Sequence, residues 1–266
     1  MPSKRLVPTA ILCAALAVGV TSCAGTKNDR AAAPVATGTT PAASPEVDIS
    51  TLGADEIMKR AHAAMAAVTS FKVDGNLAVD GKVFSLSLAA DKQGNCAGWA
   101  RISGGQIDIL RHGAQTWIKP DATYWKDLGT QLGDAQVGAA VAQQFKDHYL
   151  TGDQNDPDLK EAAGMCDMVN GIAKDNGPDG KVTKGRAIVA NGVRAVSLTL
   201  TDTDGSTSTV YIAADGVPYV VELEQTTVSP PSRLNLSAFD KPVTVQAPAA
   251  DSVIDYKLFQ EKIKSL

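Results

Sequence analysis

The sequence predicts an α+β fold: one long antiparallel sheet that curls, with helices packed on its concave face. Three observations lead there. Apolar residues recur at helical spacing around residue 60, then alternate from residue 71 to about residue 119. A helical middle follows, and alternation resumes from about residue 184. Glycine-containing turn pairs punctuate the alternating stretches, which marks consecutive hairpins. Strand blocks flanking a helical block form the α+β pattern, and a sheet of eight or so strands tends to curl.

Two segments precede the fold. Lys4 and Arg5 are followed by residues 6–20, which are apolar or small apart from Thr9 and an interrupting Pro8. That is the layout of a secretory signal, too short for a membrane span of about 20 residues. It ends in Val20-Thr21-Ser22-Cys23, which resembles the lipobox of bacterial lipoproteins. The resemblance implies that residues 1–22 are a lipoprotein signal peptide and that Cys23 carries a diacylglycerol. An ordinary signal peptide with an incidental Cys23 is the alternative. Two acyl chains hold a protein where one does so marginally. The expected location is therefore the extracytoplasmic face of the cell membrane, reached through a lipid anchor. Residues 23–48 lack aromatics and are rich in Ala, Thr and Pro. Such a segment cannot bury enough surface to offset the entropy of ordering, so it reads as a flexible tether of roughly 25–30 Å. Residues 49–266 remain for a single domain.

Within that domain, residues 53–68 place Ile57, Ala61, Met65 and Val68 on one helical face. Phe71, Val73, Leu77 and Val79 then alternate with polar residues up to the Asp80-Gly81 turn, and Phe84, Leu86 and Leu88 continue the alternation. Residues 97–103, 106–111 and 115–119 extend the meander. Residues 135–149, with Val137, Val141, Phe145 and Tyr149, and residues 159–172, with Leu159, Ala162, Cys166 and Val169, read as helices. Strands over 184–190, 194–202, 207–214 and 218–224 are separated by Asn191-Gly192, Asp204-Gly205 and Asp215-Gly216. Residues 233–239 add a further strand and residues 251–266 a short helix.

Composition and motifs narrow the function. Cleavage before Cys23 removes Lys4 and Arg5 and moves the net charge from −4 to −6, leaving no basic patch for nucleic acid. Cys96 and Cys166 form an even pair in an oxidising compartment, which suggests a disulfide worth roughly 4 kcal/mol in the chain-entropy model; two separate buried thiols are the alternative. Neither cysteine has a partner at zinc spacing. His62, His112 and His148 are isolated in sequence, and no nucleophile elbow or phosphate loop is present. The sequence thus predicts no enzyme, no cofactor and no metal. Asp202-Thr203-Asp204-Gly205 lacks the later acid of a calcium loop and reads as a turn.

Five stretches carry a family resemblance: Ser70-Phe71-Lys72-Val73-Asp74-Gly75; Asn95-Cys96-Ala97-Gly98; Trp117-Ile118-Lys119-Pro120 with Tyr124-Trp125; Val210-Tyr211-Ile212-Ala213 with Asp215-Gly216-Val217-Pro218-Tyr219; and Lys241-Pro242-Val243-Thr244-Val245 with Ala247-Pro248. In this order they resemble the LolA/LolB-like superfamily, closest in kind to mycobacterial lipoproteins of the LppX and LprG type. The last stretch matches that family's closing strand and exit, while residues 256–266 run past its usual end. The resemblance implies a half-barrel over helices, an apolar cavity between the layers, and binding of a lipid or glycolipid. The inward parity of the strands would then line the cavity with Phe84, Leu86, Leu88, Ile107, Ile109, Val196, Leu198 and Leu200. The competing reading is a structural or protein-interaction envelope lipoprotein with a filled core.

Overall fold

The computed structural model describes residues 48–264 apart from positions 80, 103, 132, 154 and 175–179. Cys23, the signal segment and all of the tether before Asp48 lie outside the described residues. A 3-10 turn, Ile49–Thr51, leads into α1 (Ala54–Ala67). The predicted stripe of α1 faces inward: Ile57, Ala61 and Met65, with Val68 just beyond the helix, are all buried. Asp55 and Glu56 stand in the first turn, where they complement the helix dipole.

Five strands follow: β1 (Ser70–Val79), β2 (Lys82–Asp91), β3 (Cys96–Ile102), β4 (Gly105–His112) and β5 (Gln115–Pro120). Each pairs antiparallel with the next. A helical middle holds α2 (Ala122–Gln131), α3 (Ala135–Phe145), the short β6 (Tyr149–Thr151) and α4 (Pro157–Ile172). The second strand block is β7 (Lys181–Ala190), β8 (Val193–Thr201), β9 (Thr207–Ala213), β10 (Val220–Gln225) and β11 (Ser232–Ser237). The chain closes with β12 (Val253–Asp255) and α5 (Tyr256–Ile263). All the strands join one open, curved sheet in the order β12-β6-β5-β4-β3-β2-β1-β11-β10-β9-β8-β7, and helices pack on its concave face.

Register aligns the apolar parity of each strand into rows across the sheet. One row runs Leu150, Ile118, Ile109, Gly98, Leu88, Val73 and Leu236. Gly98 and Gly75 sit mid-strand at φ of 151° and 153°. A Cβ there would lie 1.9 Å from the Ser87 carbonyl oxygen at Gly98 and 2.1 Å from that of Arg233 at Gly75. Only glycine permits such an approach, and mid-strand glycines are where sheets bend tightly. The Asn191-Gly192 turn has φ positive at both positions, as a two-residue hairpin requires. At the next turn the Asp204 carboxylate accepts from the Ser206 amide at 2.8 Å.

The structure corrects the sequence reading in four places. The helix predicted over 135–149 ends at Phe145, because Leu150 pairs with Ile118 and is fully buried there, which draws Tyr149 into β6. Residues 122–131, for which the sequence reading gave no element, form α2, whose start is capped by the Asp121 carboxylate accepting from the Tyr124 amide at 2.7 Å. The closing strand expected over 241–245 is irregular chain. The sheet has twelve strands instead of about eight, two of which are the three-residue β6 and β12.

Candidate functional site

The predicted ligand residues sit in the packed interior. Leu86, Leu88, Ile107, Ile109, Val196, Leu198 and Leu200 are buried in one continuous core, and Phe84 is half-buried opposite Leu77. Leu86 and Leu88 align through Ala100 and Gly98 with Ile107 and Ile109. The β8 residues lie beyond β1 on the other flank of the sheet. Where Ile107 and Ile109 face Ala162 and Met165 of α4, the void is about 30 Å³. That is far below the roughly 300 Å³ of small-molecule sites.

One end of the sheet-and-helix sandwich is filled by the extra C-terminal helix. Phe259 of α5 inserts its ring 5.2 Å from that of Trp125 in α2 and 5.0 Å from that of Phe145 in α3. β12 pairs with β6 and carries α5 to this position. The Tyr256 hydroxyl donates to Asp158 at 2.6 Å, tying α5 to the start of α4. Burial, aided by the Asp158 carboxylate, pushes the Tyr256 phenol up.

The opposite end is open. A cleft of about 510 Å³ lies between the end of α1, the start of β1, the β2–β3 turn and the last turns of α4. Its floor is apolar, with Val68, Phe71 and Ala173. Lys92, Arg111 and Lys174 bring cations to its lining, with Asp91 and Asp167. Asp91 is engaged by its own turn: the Gln93 and Asn95 amides donate to Oδ1 at 2.9 and 2.8 Å, and Asn95 Nδ2 donates to Oδ2 at 2.8 Å. Arg111 donates to Asp167 at 2.7 Å and to the Ala163 carbonyl at 3.2 Å. Beyond that pair lies a second cavity of about 340 Å³, lined by Leu159, Ala163 and Gly164.

Two links hold α4 at this place. Cys96 and Cys166 are joined in a disulfide across a sequence separation of 70. Arg111, opposite Cys96 in the sheet, reaches Asp167, the neighbour of Cys166. Asp240 fixes the rim from the other side. It accepts from the Thr69 amide at 2.7 Å and hydroxyl at 2.8 Å, and from the Tyr219 hydroxyl at 2.7 Å. These bonds, Tyr219's first, hold the Asp240 carboxyl below its usual value. Desolvation, then the bond to Asp240, pushes Tyr219 up to about 12.

LprF from Mycobacterium bovis aligns with this arrangement at a TM-score of 0.50 and 14% identity, over 74% of this chain and 97% of that one. The chain has an LprF-like fold. It is the fold that the resemblance to LppX-type proteins led us to expect. The Mycobacterium tuberculosis lipoprotein LppX aligns at 0.47 with 15% identity over 72% and 97% of the two chains. A LolA superfamily protein from Nitrosomonas europaea aligns at 0.24 with 12% identity over 75% and 96%. No protein-family model and no curated protein matches the sequence.

Within the LprF-like fold, the sequence reading missed the cleft residues while identifying their neighbours. The α1 stripe, carried one step further, passes Val68 and reaches Phe71, both on the cleft floor. His112, set aside as isolated, has Nδ1 2.7 Å from Asn95 Oδ1, beside the β2–β3 turn. Among the described residues, no group of three or more His, Cys, Asp or Glu could hold a metal. No described helix is long and apolar enough to cross a membrane.

Proposed function

We propose that this protein is an envelope lipoprotein, acylated at Cys23, that binds an amphiphile in the cleft between α1, α4 and the β1–β3 end of the sheet. The observation that carries this is the cleft itself: about 510 Å³, apolar at its floor, with Lys92, Arg111 and Lys174 beside Asp91 and Asp167 in its lining. Val68 and Phe71 would take an acyl chain, and Lys92, Arg111 and Lys174 would face its headgroup. The protein acts here by binding, without catalysis. Tyr219 with Asp240, Tyr256 with Asp158 and Tyr211 with Glu224 are hydrogen-bonded pairs that join elements of the fold, which supports structural roles for these ionisable groups. Movement of the amphiphile through the envelope would follow from release at the open end.

The small void, about 30 Å³, between Ile107, Ile109 and α4 favours one competing reading: a lipoprotein that binds a protein partner on its surface. Native mass spectrometry of the protein purified from a bacterial envelope, before and after organic extraction, separates the two. A stoichiometric lipid adduct that disappears on extraction is the expected result. An unliganded protein that also refuses added lipid, while retaining one protein partner, would replace this reading with the other.

A further inference from the structure

The cleft and the second cavity are two halves of one groove. Among the described residues, their linings have Arg111 and Asp167 in common and no others. The second half, about 340 Å³, is itself above the roughly 300 Å³ lower bound of small-molecule sites.

Both walls of the groove run through without a break. Lys160, Gly164, Asp167 and Gly171 follow one another at spacings of four, three and four, so they share one face of α4. Lys160 and Gly164 line the second cavity, Gly171 lines the cleft, and Asp167 lines both. On the sheet side, register sets Phe71, Ala90, Cys96, Arg111 and Thr116 in one row across β1 to β5. Phe71 belongs to the cleft, Thr116 to the second cavity, and Arg111 to both. Four strand spacings make the row roughly 19 Å long. One acyl chain covers roughly 15 Å in a bilayer leaflet, half of the hydrocarbon core. The row as a whole is therefore long enough for a chain, and Arg111 is the charged residue within it.

Arg111 stands across the groove and is fixed there. Its Nε donates to the Gly113 carbonyl at 3.1 Å, and its Nη1 donates to the Ala163 carbonyl at 3.2 Å and to Asp167 at 2.7 Å. The Arg111 side chain is only 18% exposed. A chain pushing past would separate these bonds and offer none in return, and an unpaired charge away from water is costly.

We infer that the Arg111–Asp167 pair is the stop that sets how long a chain the site accepts: a chain resting on Val68 and Phe71 ends at the pair, and the second cavity opens to it only when the pair is removed. This rests on the reading of the cleft as an amphiphile site.

The test is calorimetric titration of the protein, freed of lipid, with octanoate, decanoate, dodecanoate, tetradecanoate and hexadecanoate. Each methylene that leaves water should tighten binding about fourfold. In the parent this gain should cease within the series, and in Arg111→Ala it should continue to longer chains. Loss of a headgroup contact with Arg111 would weaken every chain alike and leave the slope unchanged. Arg111→Ala/Gly164→Phe, with a ring in the second cavity, should stop the gain at the parent's length again. A Cβ at Gly164 meets nothing within 4 Å, so Gly164→Phe alone should leave the parent's series as it is. Uninterrupted gain in the parent, the same limit in Arg111→Ala, or weaker long-chain binding in Gly164→Phe alone each overturns the stop. The first and third of these need no folded Arg111→Ala. Binding without a limit fails the stop and leaves the cleft as the site, whereas a parent that binds none of the chains fails both.

Discussion

The two ends of the sheet-and-helix sandwich are built from opposite materials. At the β6 end, α5 brings Phe259 against Trp125 and Phe145, and the interior closes on aromatic rings. At the α1–α4 end, small and polar residues such as Ala66, Gly94, Asn170 and Gly171 surround a cleft of about 510 Å³. Rings bury large areas and fill space. Small side chains leave space, and their elements then depend on covalent and ionic links to stay in place. The cleft end accordingly carries the disulfide and the Arg111–Asp167 pair. This domain thus has one end that stabilises by packing and one that is left open.

Breaking the staple should have the largest effect. Cys96→Ser with Cys166→Ser releases a loop with a separation of 70 residues, which costs about 4 kcal/mol in the chain-entropy account. Urea unfolding should show that loss together with weakened amphiphile binding. Unchanged binding would mean that Arg111–Asp167 suffices to hold α4. Phe259→Ala attacks the closed end and should cost about 3 kcal/mol. It should leave amphiphile binding intact, because Phe259 does not line the cleft. Binding lost in Phe259→Ala without loss in the double-serine variant would reverse the assignment of the two ends.

Much of this comparison was legible in the sequence, but unevenly. Asn191-Gly192 announced its hairpin because both residues must adopt positive φ. The α1 stripe was read because burial follows the helical period through Ile57, Ala61 and Met65. α2 was hidden by its low apolar content, and only the Asp121 cap signalled it. Tyr149 continued a helical period by coincidence, because a three-residue strand buried through Leu150 has no period of its own. The cleft was least legible. Strand parity identifies which side chains point inward, as it did for Leu88, Ile109 and Leu198. It does not say whether a helix side chain fills the space above them.

Two smaller effects sharpen the comparison at the rim. Asp240 has its folded value below the ordinary 3.8. Its ionised form therefore stabilises the fold above about pH 4, and the stabilisation is lost as pH falls through the folded value. Asp240→Asn should flatten the acid limb of a stability–pH profile, and an unaltered profile would remove Asp240 as the rim's fastener. Gly171→Trp should have the least effect on stability, within about 0.5 kcal/mol in thermal unfolding. A Cβ at Gly171 meets nothing within 4 Å, and any residue other than proline favours a helix over glycine. That variant should nonetheless fail to retain amphiphile, because its ring would occupy the cleft.

The most direct test is photo-crosslinking of the protein with a diazirine-bearing fatty acid, followed by peptide mass spectrometry. Adducts on the peptides holding Val68 and Phe71 and residues 167–174, lost in Gly171→Trp, are the result expected. Adducts on the peptides holding Ile107, Ile109, Trp125 or Phe259 would contradict the claim that the open end is the binding end.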